Sequence, residues 1–441
     1  MIILLLIFLI LAYGATPGYS QGNELPQIEH IIAIGDSLTA GVQNAALRQG
    51  VEGGEIESLV GLFQNSGYAY LIAKQINPTN PDKVLPLPLI ERPGIPNAII
   101  GYNISPGEGE DIIRLEPGES HGRVNPSVQP FNLAIPGATL NDALTKLPSH
   151  SQLEQLILGQ PSGRARSQVQ LALDLFTEQG LDPRKTLIIV WLGNNDTLHA
   201  ILDGDLTELT PPSAFMRDYL RVIGFLRQTG AHMVVATLPD TTIMPYLLDP
   251  VEVAIICQMA GKYNFSNTTD FMNFLEALDL NRSDKVSAMA LPFILGQKPL
   301  EPLPPNLVFT PQEILTIRKA IKTFNLIIKL TAISYDIPMV DVYYATNKAH
   351  EEGREIVIDG QRFMLTTGLC GGLFSLDVVH PSNTGHALLA QQFIGVINNT
   401  IGQGREIINP IDDDDELKNI VKKDPLGPVV KGCAALLTTD P

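Results

Sequence analysis

Asp377-Val378-Val379-His380 puts an acid three positions before an imidazole, near the far end of a 441-residue chain. Near the start stands Gly35-Asp36-Ser37-Leu38-Thr39, where an alcohol follows an apolar run. A serine hydroxyl is a weak nucleophile until a histidine takes its proton. The histidine in turn needs a carboxylate to fix its tautomer and steady its charge. Ser37, His380 and Asp377 therefore read as nucleophile, general base and orienting acid. Their short spacing lets one loop deliver Asp377 and His380 as a preset pair. Two blocks between these ends, Asn132-Leu133-Ala134-Ile135-Pro136-Gly137 and Gly193-Asn194-Asn195-Asp196, can each supply hydrogen-bond donors to a developing oxyanion.

Such side chains must be held by a rigid frame. Short apolar runs at 30–34, 131–135, 186–192, 232–238 and 338–344 read as strands buried on both faces, as in a parallel sheet. Stretches of helical periodicity separate them, at 58–76, 164–179, 212–229, 311–335 and 382–398. Pro311 after Thr310 and before Glu313 is a helix start, and Ser382 and Asn383 can cap the last helix. Alternation of this kind predicts an α/β domain. Ser37 would then sit at the C-terminal edge of the sheet, where a helix N-terminus favours negative charge. A serine there would also suit helix capping. The blocks further along the chain favour the nucleophile.

These blocks, with Gly67-Tyr68-Ala69-Tyr70-Leu71-Ile72-Ala73 and Leu238-Pro239-Asp240, resemble the SGNH/GDSL hydrolase family over most of 30–398. The resemblance implies a three-layer, flavodoxin-like sandwich around a mainly parallel five-stranded sheet. It also implies an oxyanion hole made by the backbone N–H groups of Ser37 and Gly137 and the side-chain amide of Asn195. Asp196, Asn132 and Asp36 read as braces. An ionised Asp36 aimed at the oxyanion would oppose catalysis. The implied activity is cleavage of carboxylic esters through an acyl-enzyme, with no metal and no organic cofactor. Acyl transfer to a glycan, carbohydrate deacetylation, or a non-catalytic binding role on the same scaffold are the alternatives. The rate should rise as His380 loses its proton. The other histidines, His30, His121, His150, His199, His232, His350 and His386, read as surface or core residues.

Gly118-Glu119-Ser120-His121-Gly122 matches the G-x-S-x-G elbow. Its setting, between Pro117 and Arg123-Val124-Asn125-Pro126, is that of a loop rather than a strand-to-helix turn, which argues against Ser120 as nucleophile. Two stretches, about 78–128 and 244–306, exceed a minimal sheet and read as loop insertions, the second with a helix expected near 271–278 and a proline-rich stretch over 291–305. They could shape an acyl groove or lid, or simply pack on the sheet. The domain is expected over 26–402. A tail over 403–441 carries Asp412-Asp413-Asp414-Asp415-Glu416, a like-charge run expected to be solvated and mobile.

Hydrophobic residues make up 44% of the chain, enough for a large core, while charged residues make up only 17%. The net charge of −17 repels phosphate backbones and anionic lipid heads, which argues against a nucleic-acid partner, while the resemblance implies a small-molecule, lipid or glycan ester as substrate. The apolar run 2–12, followed by small residues to Gly22, is too short for a membrane span and fits a signal peptide cut near Gly14, Ala15 or Ser20. The expectation is export, to periplasm or medium, with no membrane span in the mature chain. The alternative is an uncleaved hydrophobic tail. Cys257, Cys370 and Cys433 are too few and scattered for zinc, and any pairing among them stays open. Nothing in the sequence specifies an oligomeric state.

Overall fold

The computed structural model describes residues 25–43, 64–91, 98–102, 113–117, 122–150, 152–159, 165–259, 261–296, 300–368, 371–375 and 377–424. The leader, the first part of the helix expected from 58, residues 118–121, Cys370, Cys433 and the end of the tail lie outside them.

Four parallel strands form the central sheet in the order β1 (His30–Gly35), β2 (Thr186–Trp191), β3 (His232–Ala236) and β4 (Met339–Val340). Their side chains are buried almost throughout, which explains why they are continuously apolar rather than alternating. The expected fifth strand, 131–135, lies along the free edge of β1. Ala33 N–H donates to Phe131 O (2.9 Å), Leu133 N–H to Ala33 O (2.8 Å) and Ile135 N–H to Gly35 O (3.1 Å). It stops at a single parallel bridge, Ala33 to Asn132. Pro130 and Pro136 flank it and have no N–H to extend a ladder. The strand expected over 338–344 is also shorter, because the Asp341 side chain accepts from Tyr344 N–H and starts a helix there.

The helices that matter are α1 (Ser37–Ala40), α2 (Tyr68–Ile76), α3 (Gln168–Glu178), α4 (Asn195–Leu202), α5 (Pro212–Arg227), α6 (Pro311–Ser334), α7 (Val342–Glu352), α8 (Asn383–Thr400) and α9 (Lys418–Lys423). The α2 and α8 helices pack together, while α3, α5 and α6 form a second layer. One aromatic group centres on Trp191, whose ring lies 5.5 Å from Tyr68 and 6.2 Å from Phe393. Phe215, Tyr219 and Phe324 form another. The α6 helix starts with a full capping box, Thr310 with Glu313, and Pro311 in its first turn. No helix among the described residues is long and apolar enough to cross a membrane.

The insertion at 244–306 builds its own small core. A three-stranded antiparallel sheet, Leu247–Leu248, Lys285–Ser287 and Val308–Phe309, packs with helices Pro250–Met259, Thr268–Ala277 and Ala290–Gly296. Cys257 is a free thiol inside that core, and burial pushes it up to about 12. In the earlier insertion, Ala98–Tyr102 and Ile113–Pro117 pair as an antiparallel hairpin apart from the main sheet. A second hairpin, β5 (Arg354–Ile358) with β6 (Gln361–Leu365), follows α7.

The acidic run keeps Asp412, Asp413 and Asp415 exposed, as expected of a solvated segment, but the chain on either side of it is anchored rather than mobile. Ile411 before the run and Leu417 and Val421 after it are buried in the main core, so the flanking apolar residues anchor it.

Candidate functional site

Ser37 stands at the turn where β1 becomes α1. Gly35 ends the strand because a Cβ there would lie 2.9 Å from Trp191 O and closer still to the Thr39 side chain. Asp36 caps the single turn of α1, accepting from Leu38 N–H (3.1 Å). Its other oxygen accepts from the Asn194 amide (2.8 Å). Those two donors and the influence of His380 only partly offset burial, which lifts the Asp36 carboxyl to about 6. Asp36 thus ties the serine turn to the end of β2, as a brace.

The loop carrying His380 is more tightly specified. Asp377 Oδ1 accepts from Val379 N–H (2.9 Å) and His380 N–H (2.8 Å), and Oδ2 accepts from His380 Nδ1 (2.7 Å). Ser375 N–H donates to His380 O (2.7 Å), closing the loop. Val378 sits at φ +57°, a left-handed backbone that a β-branched residue seldom adopts. Burial alone would raise the Asp377 carboxyl. The His380 charge, the ring N–H and the two backbone donors outweigh it and hold the carboxyl down to about 2. With Nδ1 committed to Asp377, the other ring nitrogen is left for proton transfer.

Ser37 and His380 line one cavity of about 560 Å³. Its wall is mostly apolar and includes Leu38, Trp191, Leu198, Ile243, Met244 and Leu388. The α7 helix, the start of β5 and the start of α8 complete it. Sequence reading missed α7, the hairpin and the residues around Leu373. Asp341, the cap of α7, was the available signal, hidden inside an apolar run.

Gly137 follows Pro136 in a turn closed by Ala138 N–H to Ile135 O (3.0 Å), at φ +77°. Proline then a positive-φ residue is the pattern of a type II turn, which explains the glycine. The Asn195 amide, at the start of α4, donates to Ala138 O (3.0 Å), so it adjoins the Gly137 turn. Neither Gly137 nor Asn195 lines the cavity, whereas Asn194 does. Asn132 donates to Thr39 O (2.9 Å), and Asp196 accepts from Leu140 N–H (2.9 Å). Both brace their loops. Burial raises the Asp196 carboxyl to about 6. His386 is a core residue that accepts from Tyr68 N–H (3.3 Å), and burial lowers its ring to about 3. No group of metal-ligating side chains is found among the described residues.

Comparison with known proteins follows the same lines. The family model of the GDSL-like lipase/acylhydrolases matches residues 31–393. Among solved structures, a lipase/acylhydrolase from Enterococcus faecalis is similar at 12% identity and a TM-score of 0.32, covering 84% of this chain and 96% of that one. No curated protein matches the sequence. A match over residues 31–393, most of the chain, establishes that the chain belongs to the GDSL-like lipase/acylhydrolase family, whose membership supports an ester-cleaving hydrolase.

Proposed function

We propose that the chain is an exported serine esterase that forms an acyl-enzyme on Ser37. Ser37 Oγ attacks the ester carbonyl as His380 takes its proton. His380 then returns that proton to the leaving alcohol, and water, activated by the same ring, releases the acid. Asp377 holds the ring and stabilises its charge. The family pattern assigns the oxyanion to the backbone N–H groups of Ser37 and Gly137 and the amide of Asn195; of these Ser37 lines the cavity, and the other two meet at the Ala138 turn. This chemistry calls on no metal and no organic cofactor. Export rests on the apolar leader alone.

One observation carries the reading: Ser37 and His380 face the same cavity, with Asp377 bonded to the ring at 2.7 Å. The apolar wall supports an acyl chain, rather than a bare acetyl group on a glycan, as the part of the substrate held there. Purified protein should hydrolyse p-nitrophenyl butyrate, and Ser37→Ala should lower kcat by about 10³-fold or more. A fluorophosphonate probe should label the Ser37 peptide. Turnover that survives Ser37→Ala would remove the nucleophile from this assignment. Acylated sugar formed in the presence of a glycan acceptor would turn the hydrolase into a transferase.

A further inference from the structure

The chain continues past the family match, which ends at residue 393, and comes back to the helix that follows the proposed base. The return begins at the end of α8. Asn398 donates to Ile408 O (2.8 Å) and accepts from the N–H groups of Ile407 (3.1 Å) and Ile408 (3.0 Å). Asn409 then donates to Gln75 O on α2 (3.1 Å). Gln391, on α8, donates to Ile411 O (2.9 Å) and Asp413 (2.6 Å), and Arg354 of β5 donates to the same Asp413 oxygen (2.9 Å). Gln75 donates to both oxygens of Glu416 (2.7 and 2.8 Å). Lys422 of α9 reaches Asp359 at the tip of the β5–β6 hairpin (2.8 Å).

The last described residue completes the return. Asp424 is fully buried, and its Oδ2 accepts from both the N–H (2.8 Å) and the hydroxyl (2.6 Å) of Thr384. Thr384 lies in the first turn of α8, four residues after His380. A carboxylate there meets N–H groups the helix cannot satisfy itself, and the helix dipole favours its charge. Ser382 is already engaged, accepting from Gly385 N–H (3.1 Å) and donating to Gly372 O (2.7 Å). Ser382 and Asp424 thus fix the start of α8 from two sides. Gly385, Leu388, Leu389 and Gln392 of that helix, and Arg354 of the hairpin, line the cavity.

We propose that residues 407–424 form a strap that positions His380, with Asp424 as the positioning residue that locks the first turn of α8 behind the base. None of residues 407–424 is among those that line the cavity. It acts by holding the loop on which His380 and Asp377 meet. This rests on the assignment of His380 as the base, and the test keeps the two apart.

The experiment uses the full chain and three variants, Asp424→Ala, Asp424→Asn and Thr384→Val. Asp424→Ala should lower kcat for p-nitrophenyl butyrate by about tenfold, with KM within about twofold, because the base is misplaced while the acyl site remains. Asp424→Asn keeps an acceptor for Thr384 and should recover most of that loss. A second readout does not depend on turnover. The Nδ1 proton of His380, hydrogen-bonded to Asp377, should give a far-downfield proton resonance, identified by its loss in Asp377→Asn. In Asp424→Ala that resonance should broaden through faster exchange with water. Should Asp424→Ala fail to fold, Thr384→Val removes only the hydroxyl contact, and a loss of about twofold to threefold in kcat is expected. Wild-type kcat together with an unchanged downfield resonance in the folded variant, even at a lowered Tm, would reduce the strap to a purely structural element. Turnover that persists in Ser37→Ala would instead overturn the nucleophile, leaving the resonance comparison to decide the strap.

Discussion

Asp36 and Asp377 each stand beside a proposed reacting residue, and both are more than nine-tenths buried. Asp36 finds the neutral donors Asn194 and Leu38, and its carboxyl is lifted to about 6. Asp377 finds two backbone N–H groups and an imidazole able to carry charge, and its carboxyl falls to about 2. Neutral donors do not repay the lost hydration of a buried carboxylate, whereas a close cation with matched hydrogen bonds does. The two turns therefore suit different work. The nucleophile turn is braced by a group that need not be charged. The base loop is organised around one that stays ionised.

The sharpest way to break this contrast is to neutralise each carboxylate in turn. Asp377→Asn should lower kcat by about 10³-fold, since the amide cannot hold the required tautomer and stabilise imidazolium. Asp36→Asn should cost less than about tenfold, because one acceptor remains for Leu38 or Asn194. Steady-state kinetics on a nitrophenyl ester compares them directly. Equal losses would mean that the charge on Asp36 also takes part in the reaction.

Backbone space separates the two turns next. A Cβ on Gly385 would lie 2.3 Å from Leu373 O and 2.9 Å from Pro381 Cβ, so Gly385→Ala must displace the stretch beside His380. A loss of roughly 30-fold in kcat is expected, together with a lower Tm. Gly137→Ala meets no atom within 4 Å, and its cost is confined to the positive φ, on the order of 1 kcal/mol. If Gly385→Ala proves as mild as Gly137→Ala in thermal unfolding and kinetics, the base loop is looser than its hydrogen bonds imply.

The smallest effect on rate, and the most direct test of the carboxyl shifts, lies in stability against pH. Asp36 holds its proton more firmly folded than unfolded. Its contribution is therefore complete below about pH 4 and is lost as pH rises through about 6, amounting to up to about 3 kcal/mol. Asp377 has the opposite sign: its contribution is present above about pH 4 and lost as pH falls through about 2. Between pH 4 and 7 the wild type should lose Tm relative to Asp36→Asn. A constant difference across that range would show that Asp36 ionises freely.

Much of this was legible in the chain. The runs at 30–34, 186–192 and 232–238 became strands because a continuous apolar run has nowhere to go but a sheet covered on both sides. The starts of α6 and α8 were readable because caps are local chemistry. The edge segment at 131–135 was only half readable, because its flanking prolines limit pairing. In the insertion at 244–306 the helix near 271–278 is readable and falls at Thr268–Ala277, but the core it builds with Cys257 and its neighbours is not. Its apolar residues are spread over short elements with no long period.

Sequence alone determined some local matters: that 30–34, 186–192 and 232–238 are strands, where α6 and α8 begin, and that Asp377 and His380 share a loop, since the two residues between them leave little freedom. Tertiary structure alone decided that Ser37, more than three hundred residues earlier, opens on the same cavity as His380. It also decided that Asn194 rather than Asn195 lines that cavity, and that the chain beyond the acidic run folds back so that Asp424 meets the start of α8. Those outcomes depend on contacts between distant segments, whose free energy belongs to the packed whole and to no stretch of sequence taken by itself.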